Sequence, residues 1–219
     1  KSGETIGVMG ATGSAKTSLV NLISRLYDVT DGEVLVGGVN VKEYDLNALR
    51  EDIVTMVLQK AELFSGTIKD NIGWGKKDAS MEEIIEASKI AQAHDFISGF
   101  ENGYDTIVAE KGASLSGGQK QRISIARALI RKPEILIFDD STSALDLKTE
   151  ANLYKDLNEK MSDTTVIIIA QRVASVRNAD KILIINDGII EAFGPHEELI
   201  NTSETYIEIY NSQLKRGDD

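Results

Sequence analysis

Apolar residues in this chain fall into short runs separated by longer stretches of helical periodicity. Thr5-Ile6-Gly7-Val8-Met9 reads as a buried strand. Ile53–Leu58 reads as another, ending at Gln59. Ile135–Phe138 and Val166–Ala170 have no polar alternation at all, the mark of strands covered on both faces. Lys181–Ile185 and Ile189–Phe193 flank Asn186-Asp187-Gly188, a tight hairpin signal. Asp31-Gly32 and Gly37-Gly38 punctuate Glu33–Val36 and predict two short strands there. Helical patterns cover Lys16–Leu26, Leu46–Glu51, Thr149–Met161, Glu197–Ile200 and Thr205–Leu214. Tyr154, Leu157 and Met161 form the stripe of the third of these. Ser80-Met81-Glu82-Glu83 is a capping box, after which Met81, Ile84, Ile85 and Ser88 share one helical face. Asp95–Ser98 predicts a further turn, and Leu115–Gln119 precedes a helix that runs to about Arg131 before Pro133 stops it.

The order of these elements predicts an α/β fold with a mainly parallel sheet flanked by helices. The region from about Ala61 to Ser124 has little strand character, with Tyr104–Gly112 as a loop, and reads as a helical insertion. The core is then residues 1–60 and 125–219, and residues 61–124 form the inserted subdomain. The tail Lys215–Asp219 is expected to fray. Ligands of parallel sheets sit beyond the carboxyl ends of the strands, and Met9, Gln59, Asp139 and Gln171 lie at or beside four such ends.

Composition narrows the classes of function. With 42% hydrophobic and 27% charged residues in 219, the chain is long enough and apolar enough to bury one α/β core. A formal net charge of −11 weighs against nucleic acid or an anionic membrane surface as main partner. The absence of cysteine excludes disulfides and thiolate metal sites and fits a reducing compartment. No apolar run approaches membrane-spanning length and no signal peptide is visible. Lys1-Ser2-Gly3-Glu4 opens directly onto a strand, which suggests an excised segment with something upstream.

Chemistry enters at Gly10-Ala11-Thr12-Gly13-Ser14-Ala15-Lys16-Thr17, followed by Ser18. Strand, glycine-containing turn, Lys-Thr and helix is the layout of a phosphate-binding loop. Its N–H groups and the helix N-terminus favour an anion, Lys16 adds a point charge for terminal phosphates, and the Thr17 hydroxyl is placed to ligate Mg²⁺. Asp139, at the end of an apolar strand far downstream, is the second half of such a site, its carboxylate holding the Mg²⁺ shell. Ala15 departs from the pattern, which has glycine before the lysine.

Leu115-Ser116-Gly117-Gly118-Gln119 is more specific. Here the chain resembles the nucleotide-binding domains of ATP-binding cassette (ABC) transporters, whose signature is LSGGQ. The resemblance covers nearly the whole chain and implies a P-loop NTPase (RecA-like) core, a helical subdomain and an N-terminal antiparallel β part that is truncated here. It assigns Gln59 to the Q-loop that links Mg²⁺ to the helical insertion, and Ser143-Ala144-Leu145-Asp146 to the D-loop. Tyr104–Gly112, and Asn71-Ile72 after Phe64-Ser65-Gly66-Thr67-Ile68, look exporter-like. The family's adenine-stacking aromatic would lie upstream of Lys1. ATP and Mg²⁺ are the implied cofactors. The implied partners are a second nucleotide-binding domain and the transmembrane domains of a transporter. The implied setting is the cytoplasmic face of the membrane, with this segment itself soluble.

In this family two such domains meet head to tail, each ATP lying between the loop of one and the signature of the other. The own-loop site departs at three places: Ala15 for glycine, Asp140 where the catalytic glutamate stands, and Gln171 where the switch histidine stands. All three fall on one site and none on the signature, the pattern of a degenerate half-site. The resemblance therefore points to one subunit of an asymmetric exporter with a non-identical partner. Its own site would hydrolyse poorly, and Ser116–Gln119 would act on the partner's ATP. Two rivals remain open: a fully active homodimeric exporter ATPase, and a non-hydrolytic module that uses ATP only for assembly. His94 and His196 read as packing or capping residues. Trp74 reads as either exposed or packed in the insertion, and the acids at 82, 83 and 86 as a solvated helix face.

Overall fold

A computed structural model describes residues 1–109 and 112–214. Glu110 and Lys111 of the Tyr104–Gly112 stretch, and the tail Lys215–Asp219, lie outside the described residues. Strand β1 (Thr5–Met9) leads through the glycine-containing turn into α1 (Lys16–Ile23). A small antiparallel pair follows, β2 (Leu35–Val36) and β3 (Val39–Asn40), then α2 (Leu46–Ala48) and β4 (Val54–Val57). The middle of the chain holds β5 (Gly66–Thr67), α3 (Ile68–Gly73), α4 (Met81–Ile90), α5 (His94–Ser98) and β6 (Ile107–Val108). Next come α6 (Gly117–Leu129), β7 (Ile135–Asp139), α7 (Leu147–Lys160), β8 (Thr165–Ile169) and α8 (Val173–Val176). The hairpin β9 (Lys181–Asn186) and β10 (Ile189–Gly194) precedes α9 (His196–Thr202) and α10 (Glu204–Leu214).

Among the described residues, six strands form the central sheet in the order β10-β9-β1-β8-β7-β4. All neighbours are parallel except the β9–β10 hairpin, whose turn residues Asp187 and Gly188 both take positive φ, 48° and 77°. Alternate residues enter two different cores. Met9, Leu136, Phe138, Ile168 and Ile184 pack with α4, α6 and α7 residues on one face. Val8, Ile137, Ile169 and Ile185 pack with Val20 of α1, Val36, Val41 and Leu49 on the other. Both faces being covered is why β7 and β8 are apolar without alternation.

The order β1-β8-β7-β4 sets four parallel strands side by side, so their carboxyl ends form one rim. Each connection that leaves this rim carries a polar residue: the loop after Met9, Gln59 after β4, Asp139-Asp140 at the end of β7, Gln171 after β8. No helix among the described residues is long and apolar enough to cross a membrane.

Four local expectations need correction. The middle region is not purely helical: β5 and β6 pair antiparallel, Gly66 with Val108 and Thr67 with Ile107. Of this ribbon only the second strand, β6, lies in the stretch read as a loop, and neither strand was legible because two-residue strands leave no periodicity to read. α1 stops at Ile23, where Arg25 takes φ 52°. On α4 the buried face is Ile84, Ala87, Ser88 and Ile90, while Met81 is exposed. The Leu46–Glu51 helix continues through Ile53 as a widened π turn, fastened by the Arg50 guanidinium donating to the Ser24 and Arg25 carbonyls.

Candidate functional site

The loop after β1 is shaped by its backbone. A Cβ on Gly10 would stand 2.0 Å from the Ile185 carbonyl oxygen, so only glycine fits where the loop passes β9. Ala15 caps α1 in the left-handed conformation, φ 71° and ψ 18°, the region where a Cβ costs about 1–2 kcal/mol. α1 has no side-chain cap and no acidic residue in its first turn, so none of its own carboxylates competes for the N-terminal amides. The Lys16 ammonium is folded back into this loop. It donates to the carbonyls of Gly10 at 2.9 Å and Ala11 at 2.7 Å and to the Ser14 hydroxyl at 3.2 Å.

Across the rim, the Thr17 hydroxyl donates to Asp139 Oδ1 at 3.0 Å, although the two are 122 residues apart. A hydroxyl and a carboxylate oxygen so close together are hard donors of the kind Mg²⁺ takes alongside water and phosphate. Burial dominates the charge balance here. It pushes the Asp139 carboxyl above its ordinary value, a shift that the Thr17 hydrogen bond opposes, and it pulls the Lys16 ammonium below its own.

Asp140 lies beside them in a left-handed conformation, φ 49°, which aspartate tolerates better than most residues. Its Oδ2 accepts from two amides at once, Gln59 Nε2 at 2.9 Å and Gln171 Nε2 at 2.8 Å. Gln59, Asp140, Thr142, Ser143 and Gln171 line a cavity of about 280 Å³. The structure thus brings together the loop, Thr17, Asp139, Asp140, Gln59 and Gln171. Gln59 is joined to Asp140, and no hydrogen bond among the described residues links it to Thr17 or Asp139.

Sequence reading missed a second set of residues that holds this one in place. Glu150, in the first turn of α7, is 2% exposed and pairs with the Arg172 guanidinium at 2.7 Å. Thr142 donates to the same carboxylate at 2.5 Å, and Arg172 also reaches the carbonyls of Thr142 and Leu145. The segment from Thr142 to Asp146 is therefore tied to the residue directly after Gln171. Gln213 of α10 adds a further tie, to Gln171 and Val173. Glu150 is one of three acids on α7 and carries no mark of burial in the sequence. The available signal was the adjacency of Arg172 to Gln171.

Leu115–Gln119 is arranged differently. Leu115 is buried, and Ser116 caps α6 with a reciprocal box: its hydroxyl accepts from the Gln119 amide at 3.3 Å while Gln119 Oε1 accepts from the Ser116 amide at 2.9 Å. The Ser116 O–H remains available as a donor. Ser116 and Gly117 are exposed, and a Cβ added at Gly117 would meet nothing within 4 Å. At Gly118 it would stand 3.1 Å from the Ala144 carbonyl, so glycine lets this turn approach the 143–146 segment. Ser143, Ala144 and Asp146 are exposed while Leu145 is buried. Asp146 caps α7, accepting from the Thr149 amide at 2.9 Å.

The residues read as structural behave so. His94 shares a hydrogen bond with the Tyr104 hydroxyl at 2.9 Å, and His196 with that of Tyr206 at 2.7 Å. Trp74 is 69% exposed and stacks on Phe64 with ring centroids 5.0 Å apart.

Comparison with known proteins adds to this geometry. Residues 1–143 match the family model described as ABC transporter. Over 97% of its length the chain is 49% identical to the uncharacterized ABC transporter ATP-binding protein YfiB of Bacillus subtilis (strain 168). Over 96% it is 46% identical to YgaD of the same strain, whose name assigns it provisionally to multidrug export as an ATP-binding/permease protein. Among solved structures, an ATP-bound bacterial Atm1-family ABC exporter matches 97% of the chain at 36% identity, with a TM-score of 0.92. The chain spans about 37%, 36% and 37% of the lengths of these three proteins.

Proposed function

The chain belongs to the ABC transporter family, and from that premise we propose that it is the ATP-binding domain of a membrane exporter, with its own loop the weaker of two composite sites. Residues 1–60 and 125–219 serve as the P-loop core and 61–124 as the subdomain that carries the signature. The domain works at the cytoplasmic face of the membrane, joined to transmembrane domains and facing a second, non-identical nucleotide-binding domain.

Lys16 and the amides of Gly10–Ser18 hold the phosphates, and Thr17 with Asp139 would hold Mg²⁺. Bound there, the ion neutralises phosphate charge and orients the terminal phosphoryl group. To meet a phosphate, Lys16 exchanges its three loop acceptors for phosphate oxygens, and burial of the ammonium favours that exchange. Ser116, Gly117, Gly118 and Gln119 act on the partner's ATP, with Ser143–Asp146 beside them.

The observation that carries the weak-site reading is the doubly engaged Asp140 carboxylate, held by the Gln59 and Gln171 amides. A carboxylate one methylene shorter than glutamate, already accepting two hydrogen bonds, is poorly placed to orient an attacking water. An amide at 171 can donate to a phosphate but carries no cationic form and relays no proton. A displacement of about 1 Å in a positioning group is enough to cost on the order of 100-fold in rate.

The test is to measure steady-state ATP turnover of the full-length protein alone, then paired with a partner subunit bearing glutamate and histidine at the two positions. Low turnover alone and high turnover when paired supports the reading. Rapid turnover by the protein alone, as two identical copies, overturns it in favour of an active homodimer.

A further inference from the structure

Gln213 lies in the last turn of α10, far in sequence from the rim, yet its side chain ends on the backbone on both sides of Arg172. Its Oε1 accepts from the Val173 amide at 2.8 Å, and its Nε2 donates to the Gln171 carbonyl at 2.7 Å. A side-chain amide that accepts from one N–H and donates to one C=O reproduces the pairing of a neighbouring peptide group. Among the described residues, the strand pairing of β8 ends at Ile169, before this point. Gln213 supplies a partner for the first N–H of the short helix α8, whose N-cap residue Arg172 offers no side-chain cap, and for the Gln171 carbonyl just ahead of it.

The position of α10 is itself fixed. Tyr206 is fully buried and hydrogen-bonded to His196, and Ile209 and Tyr210 pack against the main core. The helix is therefore a rigid arm, and Gln213 is where it touches the rim. The other side of the same segment is held by the Arg172–Glu150 pair. Between these two ties the Gln171 amide is aimed at Asp140.

We infer that Gln213 is a positioning residue for Gln171: the end of α10 sets where the switch-position amide stands over the phosphate site. The inference deepens the proposed function and rests on its reading of Gln171 as a group that addresses bound nucleotide. It makes the packing of α10 a determinant of how long the own loop retains ATP.

The experiment uses the full-length protein carrying Gln213→Leu, Gln213→Glu, Gln171→Ala, or Gln213→Leu together with Gln171→Ala. Two quantities are followed: hydrogen exchange of the Val173 amide, and the rate at which MgATP leaves this site. Gln213→Leu removes both hydrogen bonds and is expected to speed Val173 exchange, and ATP release, each by up to about tenfold. Gln213→Glu keeps an acceptor for the Val173 amide but sets a carboxylate against the Gln171 carbonyl. It should preserve Val173 protection and still release ATP faster. Gln171→Ala should speed release to the same extent, and the double variant should be no faster than either single one.

Unchanged Val173 exchange in Gln213→Leu overturns the inference, and so do additive effects on release, which would mean that Gln213 acts on general stability. If Gln171→Ala leaves release unchanged while Gln213→Leu frees the Val173 amide, the backbone tie stands and the reading of Gln171 as a nucleotide-facing group falls. Should Gln213→Leu fail to fold, Gln213→Glu decides the matter: slow Val173 exchange with fast release supports the inference, and unchanged release overturns it.

Discussion

At the loop after β1 the side chains read as phosphate or metal groups are engaged within the chain, most of them with distant parts of it, whereas at the start of α6 Ser116 and Gln119 engage only each other and Ser116 and Gly117 stand exposed. Lys16 is folded onto its own carbonyls, Thr17 holds Asp139, and Gln59 and Gln171 share Asp140. Ser116 and Gly117, by contrast, are exposed, with empty space where a Gly117 side chain would be. A site wired to itself must exchange internal hydrogen bonds for those of a ligand, so each such bond given up lowers the net gain on binding. The helix start presented outward is closed only by its own Ser116–Gln119 capping box, which leaves the Ser116 O–H and the exposed Gly117 turned to a ligand from outside. The three departures from the family pattern all fall on the wired side.

The largest expected effect tests whether the groups at positions 140 and 171 limit turnover, as proposed above. Asp140→Glu with Gln171→His should raise ATP turnover of the self-paired protein on the order of 100-fold, by steady-state assay. No gain, with dimers present, would locate the weakness elsewhere. Next comes the wiring. Glu150→Ala leaves the Arg172 guanidinium and Thr142 without their shared carboxylate. Because Arg172 is a third exposed, the loss should be about 2–3 kcal/mol, read from denaturant midpoints at constant slope. A loss near zero would mean that the 142–146 segment does not depend on this pair.

On the open side, Gly117→Ala should separate folding from function. The added methyl meets nothing and alanine favours the helix, so stability should hold, while the partner's ATP turnover falls by about tenfold as the methyl enters the space a phosphate would use. An unaffected partner would reduce this turn to a helix cap. The smallest effect concerns the left-handed backbone at residue 15. Ala15→Gly should stabilise the chain by about 1 kcal/mol and raise the melting temperature by about 2–4 °C, since glycine has no Cβ to strain there.

Much of this comparison was legible in the chain. The runs that became β1, β7 and β8 needed both faces covered, and that alone predicts a sheet between two helical layers. The loop and the signature are local patterns, and the residues of a turn or a helix start are neighbours in sequence. The β5–β6 ribbon was not legible, because two residues carry no period. Met81 was placed on the wrong side of α4, because one exposed turn at a helix start follows the packing of neighbours and not the pattern.

The sequence by itself therefore determined the layered fold and the glycine-containing turn between β1 and α1, since short-range sterics and hydrophobic periodicity decide these. Only the tertiary structure decided that Ala15 stands in a left-handed conformation, that Asp140 is shared by two amides 81 and 31 residues away, and that Glu150, Arg172 and Gln213 brace the rim. Burial and hydrogen-bond partners depend on which strands become neighbours. That depends on the whole core closing at once, which no local stretch of the chain encodes.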